Sequence, residues 1–329
     1  MLEPIEKYQV DMNICFESYP QSWYPICLSK SLTHRKVLAQ KAFGRDWILF
    51  RDKSNNIGML PRHCSHMGTD LINAKMVNGA LQCPLHHWLY DTQGQCNHVQ
   101  GNPSERGFFS FLHTRERYGI IFAFWGKEPL FELPNFNNLA KPLTSSPSIL
   151  VCNMPLIMMG INGYDTAHFG TIHHRPLQGS PKTYSNEKYH LAINYNAMVK
   201  PVSFYDKLIL IAGKKTLTIQ LDCWGGNYFL VNNVGTDFFA MAVGLPVDSK
   251  KTHIYIIGAV SKSHSFLKRI FLDKIKTYFS GLLAVDFLRP DMKVLNNIEP
   301  NFNHPSIIND SVLNSFINYW KHLPALRGN

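Results

Sequence analysis

Residues 64–88 read CSHMGTDLINAKMVNGALQCPLHHW. Two short loops in this stretch each carry one cysteine and one histidine, Cys64 with His66 and Cys83 with His86, and sixteen residues separate His66 from Cys83. A zinc site usually has C-x2-4-C in one loop and H-x3-5-H in the other. Mixed loops favour a [2Fe-2S] cluster in which the two cysteines bind one iron and the two histidines bind the other. A zinc-stapled β domain stays open as the alternative, because zinc accepts the same ligand types.

The sequence around these loops is typical of a small all-β domain. Between Lys36 and Phe124, short β-like runs such as 47–50 and 119–125 alternate with clusters of Gly, Asn, Asp and Pro. Four prolines between 128 and 147 mark a linker. We therefore expect an N-terminal segment over 1–34 that packs on the second domain, an all-β domain over 35–127, a linker over 128–147 and a second domain over 148–329.

The second domain has strands first and helices afterwards. Strand candidates at 215–223, 228–233, 238–245 and 253–261 predict an antiparallel meander. Residues spaced at the helical period from Phe266 to Leu282 predict a long amphipathic helix, which Pro290 should interrupt. Further helical pieces are expected over 291–298 and 312–320, and the methionine-rich run 154–159 is interpreted as a core strand. The predicted fold class is α+β, with strands and helices segregated.

A second group of metal-ligating residue types comprises Asp165, His168 and His173. On a regular helix, His168 and His173 would point about 140° apart. A distortion or helix end at Gly170 would bring both imidazoles to one metal ion. Two histidines and one carboxylate with open positions beside them describe the facial triad of iron(II) oxygenases. The alternative is a helix with satisfied histidines and a surface acid.

Residues 35–125 resemble the Rieske domain of the ring-hydroxylating, or Rieske non-haem iron, oxygenases. The Cys-x-His-Met-Gly-x-x-Leu form that begins at Cys64 and the Gly-x-Cys at 94–96 are most similar to the branch containing the 3-ketosteroid 9α-hydroxylases and cholesterol 7-desaturases. The spacing Asn-x-x-Asp-x-x-His-x4-His at 162–173 resembles the catalytic domain of the same family. This resemblance implies a helix-grip-like catalytic domain with an antiparallel sheet and flanking helices. His87 departs from the family, which usually has Gly or Asp before the Trp.

The resemblance also implies roles for single residues. His168 and His173 become ligands of a mononuclear Fe(II), and a late carboxylate completes the set. In the family this ligand opens a pattern like Asp-x-x-Val/Ile-Trp, which favours Asp291 in Asp-Met-Lys-Val-Leu over Asp286. Asp165 resembles the carboxylate that links a Rieske histidine of the neighbouring subunit to an iron-bound histidine. No role is assigned to His174, which adjoins a ligand.

By the same resemblance, the chain is the terminal oxygenase of a multi-component system. It would use O2 to hydroxylate, desaturate or demethylate an apolar substrate, steroid-like or polycyclic. The sequence has no flavin or dinucleotide fingerprint, so electrons from NAD(P)H would arrive through a separate flavin or ferredoxin-type reductase. The family forms head-to-tail homotrimers. The competing hypothesis is a Rieske-type electron carrier with a non-catalytic binding domain, which would have a cluster but no second iron.

Composition narrows the remaining possibilities. The chain has 329 residues, 45% hydrophobic and 17% charged, which excludes a disordered protein. No apolar run is long enough to cross a membrane, the first residues lack a secretory signal, and seven cysteines is an odd number, so a reducing cytoplasm is expected. The net charge of +10 could favour an anionic surface. Because the basic residues are dispersed and no nucleic-acid motif is present, we expect a solvated surface and no nucleic-acid partner.

Overall fold

Small antiparallel sheets form the first part of the chain in the computed structural model, which describes residues 14–98, 109–136, 142–202, 204–211, 213–234, 238–263, 266–304, 307 and 310–328. The start of the predicted N-terminal segment and the middle of the predicted linker lie outside the described residues. The strands of this part are β1 (Ser18–Pro20), β2 (Trp23–Leu28), β3 (Leu38–Ala42), β4 (Arg45–Arg51), β5 (Ile57–Pro61), β6 (Lys75–Val77), β7 (Ala80–Gln82), β8 (Leu89–Tyr90), β9 (Cys96–His98), β10 (Thr114–Arg117) and β11 (Ile120–Phe124).

These strands pair as β3-β4-β5, as β6-β7-β8-β9 and as β10-β11-β2. The first Cys–His loop follows β5 of the three-stranded sheet, and the second lies between β7 and β8 of the four-stranded sheet. A separate apolar cluster packs the strands of this part together, and Phe50, Leu71 and Leu81 in it are fully buried. Cys64 and Cys83 belong to that cluster, so packing in the core holds the base of each loop in place.

One large antiparallel sheet dominates the second part. Its strands run in the order β12-β19-β18-β17-β16-β15-β14, and β13 also pairs with β19. The elements are β12 (Leu143–Thr144), β13 (Ser148–Cys152), α1 (Ile157–Tyr164), α2 (His168–Thr171), β14 (Leu177–Tyr184), β15 (His190–Met198), α3 (Phe204–Ile211), β16 (Thr216–Trp224), β17 (Tyr228–Val234), β18 (Phe238–Asp248), β19 (Lys251–Val260), α4 (Phe266–Leu295), α5 (Ser311–His322) and β20 (Ala325–Arg327). The predicted meander is confirmed as β16 to β19.

The two parts share one continuous apolar core. Trp23 and Phe124 belong to the same buried cluster as Met241, Phe316 and Trp320. Strand β1 pairs with β20 at the other end of the chain, and β2 pairs with β11. The domain boundaries at 34/35, 127/128 and 147/148 stay predictions.

Helix α4 differs from the prediction at Pro290, where the helix continues to Leu295. A proline inside a helix removes the hydrogen bond to the carbonyl four residues earlier, here that of Asp286. Tertiary packing outweighs this cost, since Asp291, Met292 and Leu295 beyond the proline are all buried. The run 154–159 is also not a strand, because α1 begins at Ile157 and buries Met158 and Met159.

Helix α4 also differs from the prediction in the side that it buries, because polar side chains are buried where the apolar stripe was expected to be. Asp273, Thr277 and Ser280 are buried, whereas Ile275 and Tyr278 of the predicted apolar stripe are exposed. The contact is too close for larger side chains: a Cβ added at Gly258 of β19 would lie 2.3 Å from the Gly281 backbone nitrogen. Backbone approach and polar bonds therefore set the orientation of this helix. In the described part of the chain, no helix has the length and apolarity needed to span a bilayer.

Candidate metal centres

The two Cys–His loops have matching backbone geometry. In each loop the N–H of the fourth residue after the cysteine donates to the cysteine carbonyl, over 2.9 Å from Gly68 and 3.1 Å from His87. Both of those residues have positive φ, 73° at Gly68 and 58° at His87. The left-handed conformation is the physical reason why Gly or Asp suits the His87 position. His87 itself is exposed and adopts the conformation without a glycine.

In both loops the cysteine and the histidine differ in solvent exposure. Cys64 and Cys83 are buried, whereas His66 and His86 lie exposed at the tip with ring centroids 4.8 Å apart. The His66 ring stacks on Trp88 at 4.5 Å with an interplanar angle of 8°. Two buried thiols and two exposed imidazoles form a ligand set for a cluster in which one iron is held by cysteines and the other by histidines.

The Tyr90 hydroxyl lies 3.3 Å from Cys64 Sγ and 3.1 Å from Ser65 Oγ. Burial raises the pKa of the Cys64 thiol, so the free thiol stays protonated at neutral pH. A bound metal would convert it to a thiolate, to which the Tyr90 hydroxyl could donate.

Removing that hydroxyl should lower the reduction potential of a cluster bound here, because hydrogen bonds to the sulfurs stabilise the more negative reduced state. We expect Tyr90→Phe to shift the potential downward by roughly tens of millivolts. The measurement is a redox titration followed by the EPR signal of the reduced protein. Tyr118→Phe is the control, since Tyr118 contacts Phe136 instead. An unchanged potential in Tyr90→Phe would show that the hydroxyl does not act on the cluster.

A second group of ligand atoms converges in the other domain. One ligand atom from each of His168, His173 and Asp291 lies within 4.8 Å of the other two. His173 Nε2 and Asp291 Oδ1 are 3.1 Å apart, with side-chain exposures of 5% and 1%. The two atoms form an ion-pair contact whose geometry is not that of a hydrogen bond, and both atoms are buried without a hydrogen-bond partner. Buried polar atoms normally have a partner, and a metal ion between these atoms would satisfy both.

Local structure explains how two histidines five residues apart can face each other. Helix α2 is a single turn that ends at Thr171, one residue after Gly170, so His173 lies outside the helix. The next residue, His174, has φ 54° and turns the chain away, and the Arg175 N–H then donates to the Phe169 carbonyl. His174 therefore serves the turn and is itself exposed.

His168 is prepared to bind through Nε2. Its Nδ1 makes a short hydrogen bond with the Asp165 carbonyl oxygen, which requires a proton on Nδ1. Burial lowers the pKa of His168, so the neutral imidazole that metals bind is favoured. The Asp165 carboxylate lies elsewhere: its Oδ1 accepts from the Ala167 N–H at 3.0 Å, and the side chain is half-buried.

The structure separates the two competing acids. Asp286 is exposed, whereas Asp291 is 2% exposed and lies beside the histidines. Asn162 Nδ2 on α1 donates to Asp291 Oδ2 at 3.0 Å. This bond leaves Oδ1 directed at His173. Asn162 opens the sequence motif at 162–173, but nothing in the motif indicated this contact with Asp291.

Two more residues that sequence analysis missed support His173. The Phe287 ring stacks on the His173 imidazole at 4.0 Å and 8°, and the Arg175 guanidinium lies over the Phe287 ring, 5.6 Å from its centroid. Arg175 also forms an ion pair with buried Asp206 of α3. Phe287 stands four residues before Asp291 on the same helix face, and this spacing is the only signal that could have indicated it.

We expect Phe287→Ala to weaken metal binding about tenfold, because groups that orient a ligand typically contribute 10–100-fold to affinity. Titration of the metal-free protein with Co(II), followed by its visible absorption, measures this. Asp286→Ala is the matched control, since Asp286 is exposed on the same helix. Equal affinities for Phe287→Ala and the wild type would show that the stacked ring does not position His173.

A profile of the Rieske [2Fe-2S] domain matches residues 22–114. Among curated relatives, aminopyrrolnitrin oxygenase PrnD of Pseudomonas fluorescens is 36% identical over 126 residues, which cover 35% of this chain and 34% of that protein. The oxygenase component of 3-ketosteroid-9-alpha-monooxygenase from Rhodococcus rhodochrous is 29% identical over 136 residues, 40% of this chain and 36% of that protein. The matches thus span about a third of the length of these relatives.

Solved structures share the fold over nearly the whole chain. Dicamba monooxygenase with non-heme iron and dicamba has a TM-score of 0.60 at 17% identity, covering 92% of this chain and 96% of that one. The oxygenase in a carbazole 1,9a-dioxygenase complex with ferredoxin has a TM-score of 0.64 at 13% identity, covering 95% and 91%. The chain therefore has a Rieske domain, and its homologues and structural neighbours are Rieske oxygenase alpha subunits. The predicted resemblance and fold class are confirmed.

Proposed function

We propose that this protein is the terminal oxygenase component of a multi-component Rieske oxygenase. The observation that carries the proposal is that one chain holds two ligand sets of different chemistry. One set consists of two buried thiols and two exposed imidazoles. The other leaves a buried imidazole nitrogen and a buried carboxylate oxygen without hydrogen-bond partners.

The residues assigned to the [2Fe-2S] cluster are Cys64, Cys83, His66 and His86. When bound, the cluster supplies one electron at a time, at a higher potential than an all-cysteine cluster. The exposed imidazoles form the side through which electrons would pass, while the thiols lie in the core. The electron donor would be a flavin or ferredoxin-type reductase, and the ferredoxin bound to the carbazole oxygenase supports a partner of this kind.

The residues assigned to the mononuclear Fe(II) are His168, His173 and Asp291. A metal held by two histidines and one carboxylate keeps open positions and supplies O2 activation when bound. Asn162 holds the carboxylate and Phe287 fixes the His173 ring. Aromatic side chains surround the histidines: Phe169 lies 5.6 Å from His173 and 4.7 Å from Tyr195, measured between ring centroids. This environment suits an apolar, steroid-like or polycyclic substrate, to be hydroxylated, desaturated or demethylated.

Asp165 is proposed to bridge subunits in a head-to-tail homotrimer. It contacts His168 through its backbone carbonyl, so its half-buried carboxylate can meet a histidine from a neighbouring copy. A closed ring would then pair one copy's exposed imidazoles with the next copy's metal centre. We place the protein in the cytoplasm, which is consistent with seven cysteines that form no disulfide.

Metal analysis tests the proposal. An oxygenase should contain about three iron atoms and about two acid-labile sulfides per chain, and the alternative electron carrier only the cluster. A zinc-stapled protein would be colourless and free of iron. The loaded protein, chemically reduced under O2 with a panel of sterols and polycyclic aromatics, should add oxygen to a substrate or remove hydrogen or methyl from it, as detected by mass spectrometry. A chain with cluster iron alone would contradict the oxygenase.

A further inference from the structure

A solvent-facing apolar surface runs along the first half of α4. Its side chains are exposed by 42 to 64%: Leu272, Ile275, Tyr278, Phe279 and Leu282. The spacing i, i+3, i+4, i+7 from Ile275 places four of them on one side of the helix. The surface is about 15 Å long at 1.5 Å per residue. We call these five residues the outer α4 face.

The helix cannot roll to bury this face. On its opposite side, the Asp273 carboxylate accepts from the Ser263 N–H at 2.8 Å and from Ser263 Oγ at 2.6 Å. Ser280 Oγ lies 3.3 Å from the Ala259 carbonyl oxygen. A Cβ added at Gly258 would lie 2.3 Å from the Gly281 backbone nitrogen, and one added at Gly281 would lie 2.6 Å from Ser145 Oγ. A roll would break these bonds and force larger residues into a contact built for glycine. The exposure of the outer α4 face is therefore a stable property of the fold.

The charges around this face are predominantly positive. Residues 262–293 contain seven Lys and Arg against three Asp, and two of those Asp, Asp273 and Asp291, are buried. Asp286 is the one exposed carboxylate of this range. The basic residues that the structure shows exposed are Lys262, Lys274, Arg289 and Lys293.

Two copies of this chain that meet through this face on both sides fit these charges poorly, and the head-to-tail contact proposed above does not require the face to meet itself. Pairing α4 with itself would bring two positive surfaces together, because an isologous contact uses the same patch twice. An anionic bilayer offers the complement of both features: acyl chains for the apolar side chains and phosphates for the lysines. Tyr278 is the kind of aromatic side chain, apolar with a polar tip, that favours the membrane interface.

We propose that the outer α4 face docks the protein on an anionic lipid bilayer, with the helix lying in the plane of the interface. Leu272, Ile275, Phe279 and Leu282 enter the acyl boundary while Lys274 contacts phosphate. Phe287 and Asp291 of the same helix contact His173, and Asp291 is buried, so the second metal centre stays within the protein. The docking surface does not depend on the proposed oxygenase activity. If that activity holds, docking places the enzyme where apolar substrates concentrate.

Vesicle sedimentation tests the proposal with the full-length, metal-loaded protein. Vesicles of equal parts phosphatidylcholine and phosphatidylserine should bind it at least about tenfold more tightly than pure phosphatidylcholine, and salt should weaken the binding. The double variant Ile275→Ser/Phe279→Ser should lose about tenfold or more of this affinity, because two apolar side chains no longer enter the bilayer. Lys274→Glu should weaken binding to the anionic vesicles only.

Val151→Ser is the matched control, since Val151 is 56% exposed on β13, outside α4. All variants should keep the wild-type thermal midpoint, because the replaced side chains face solvent. No binding to anionic vesicles by the wild type, or equal binding by the Ile275/Phe279 variant, would overturn the proposal. Self-association that disappears in this variant, without vesicle binding, would assign the face to a second copy and overturn it as well.

Discussion

Asp291→Ala should abolish substrate oxidation and remove the mononuclear metal while the [2Fe-2S] cluster stays in place. The carboxylate is buried with Oδ1 unpartnered and Oδ2 held by Asn162, so no other described acid can take its position without moving the helix. Two histidines alone are a poor site, and the affinity for Fe(II) should fall by about 100-fold or more. Iron analysis should give about two atoms per chain in place of about three, with an unchanged EPR signal from the reduced cluster.

The metal-free protein offers a second readout for Asp291→Ala. Without a metal, the wild type buries a carboxylate oxygen that has no hydrogen bond and lies 3.1 Å from His173 Nε2, and a buried oxygen without a hydrogen bond costs roughly 1–3 kcal/mol. The metal-free variant should therefore unfold close to the metal-free wild type, because the relief of the unsatisfied Oδ1 offsets the lost hydrogen bond from Asn162, whereas Fe(II) stabilises only the wild type. Asp286→Ala should behave as wild type in both assays. Loss of the metal in Asp286→Ala with retention in Asp291→Ala would reverse the assignment of the carboxylate.

Asp165→Asn should lower turnover by about 100-fold or more while both metal sites stay loaded. The variant keeps the hydrogen bond to the Ala167 N–H through the Asn oxygen, and the backbone carbonyl still holds His168. What it loses is the negative charge that accepts an imidazole N–H from a neighbouring subunit. Effects on rate of this size are typical when a charged orienting group is removed from a catalytic site.

Stopped-flow kinetics locates the defect in Asp165→Asn. The pre-reduced variant should reoxidise its cluster slowly in the presence of substrate and O2, because transfer between subunits is impaired, whereas an external chemical oxidant should react at the wild-type rate. Thr166→Ala is a neighbouring control that leaves the carboxylate intact. Full activity in Asp165→Asn, with iron content unchanged, would remove the bridging role.

Much of this protein follows from local sequence patterns. The Cys64/His66 and Cys83/His86 loops are short, and their geometry comes from hydrogen bonds within each loop, so spacing alone predicts which side chains lie together. The β16–β19 meander follows in the same way, because neighbouring strands joined by short turns pair with each other. The nearness of His168 to His173 also depends on a local event, the end of a one-turn helix.

Contacts between segments that are distant in the sequence could not be predicted from local patterns. Asn162 and Asp291 meet because α1 and α4 pack on the same core, and nothing near either residue indicates the pair. Phe287 and Arg175 form a stack with His173 for the same reason. A side chain's partner across the fold depends on the packing of whole elements, which a local window of sequence does not contain.

Helix α4 has some properties that the sequence predicts and others that only the tertiary structure decides. Its periodicity is visible in the sequence, and the family pattern favours its Asp291 as the acid of the metal centre. The side that it buries was decided by the close approach of Gly258 to Gly281 and by the bonds of Asp273 and Ser280. Its continuation through Pro290 was decided by the burial of Asp291, Met292 and Leu295. Sequence by itself determined the ligand types, the strand pattern and the two-centre organisation, since these depend on neighbours along the chain. Only the tertiary structure decided which residues hold Asp291 and His173 in place and which face of α4 meets solvent, because both depend on contacts between distant segments.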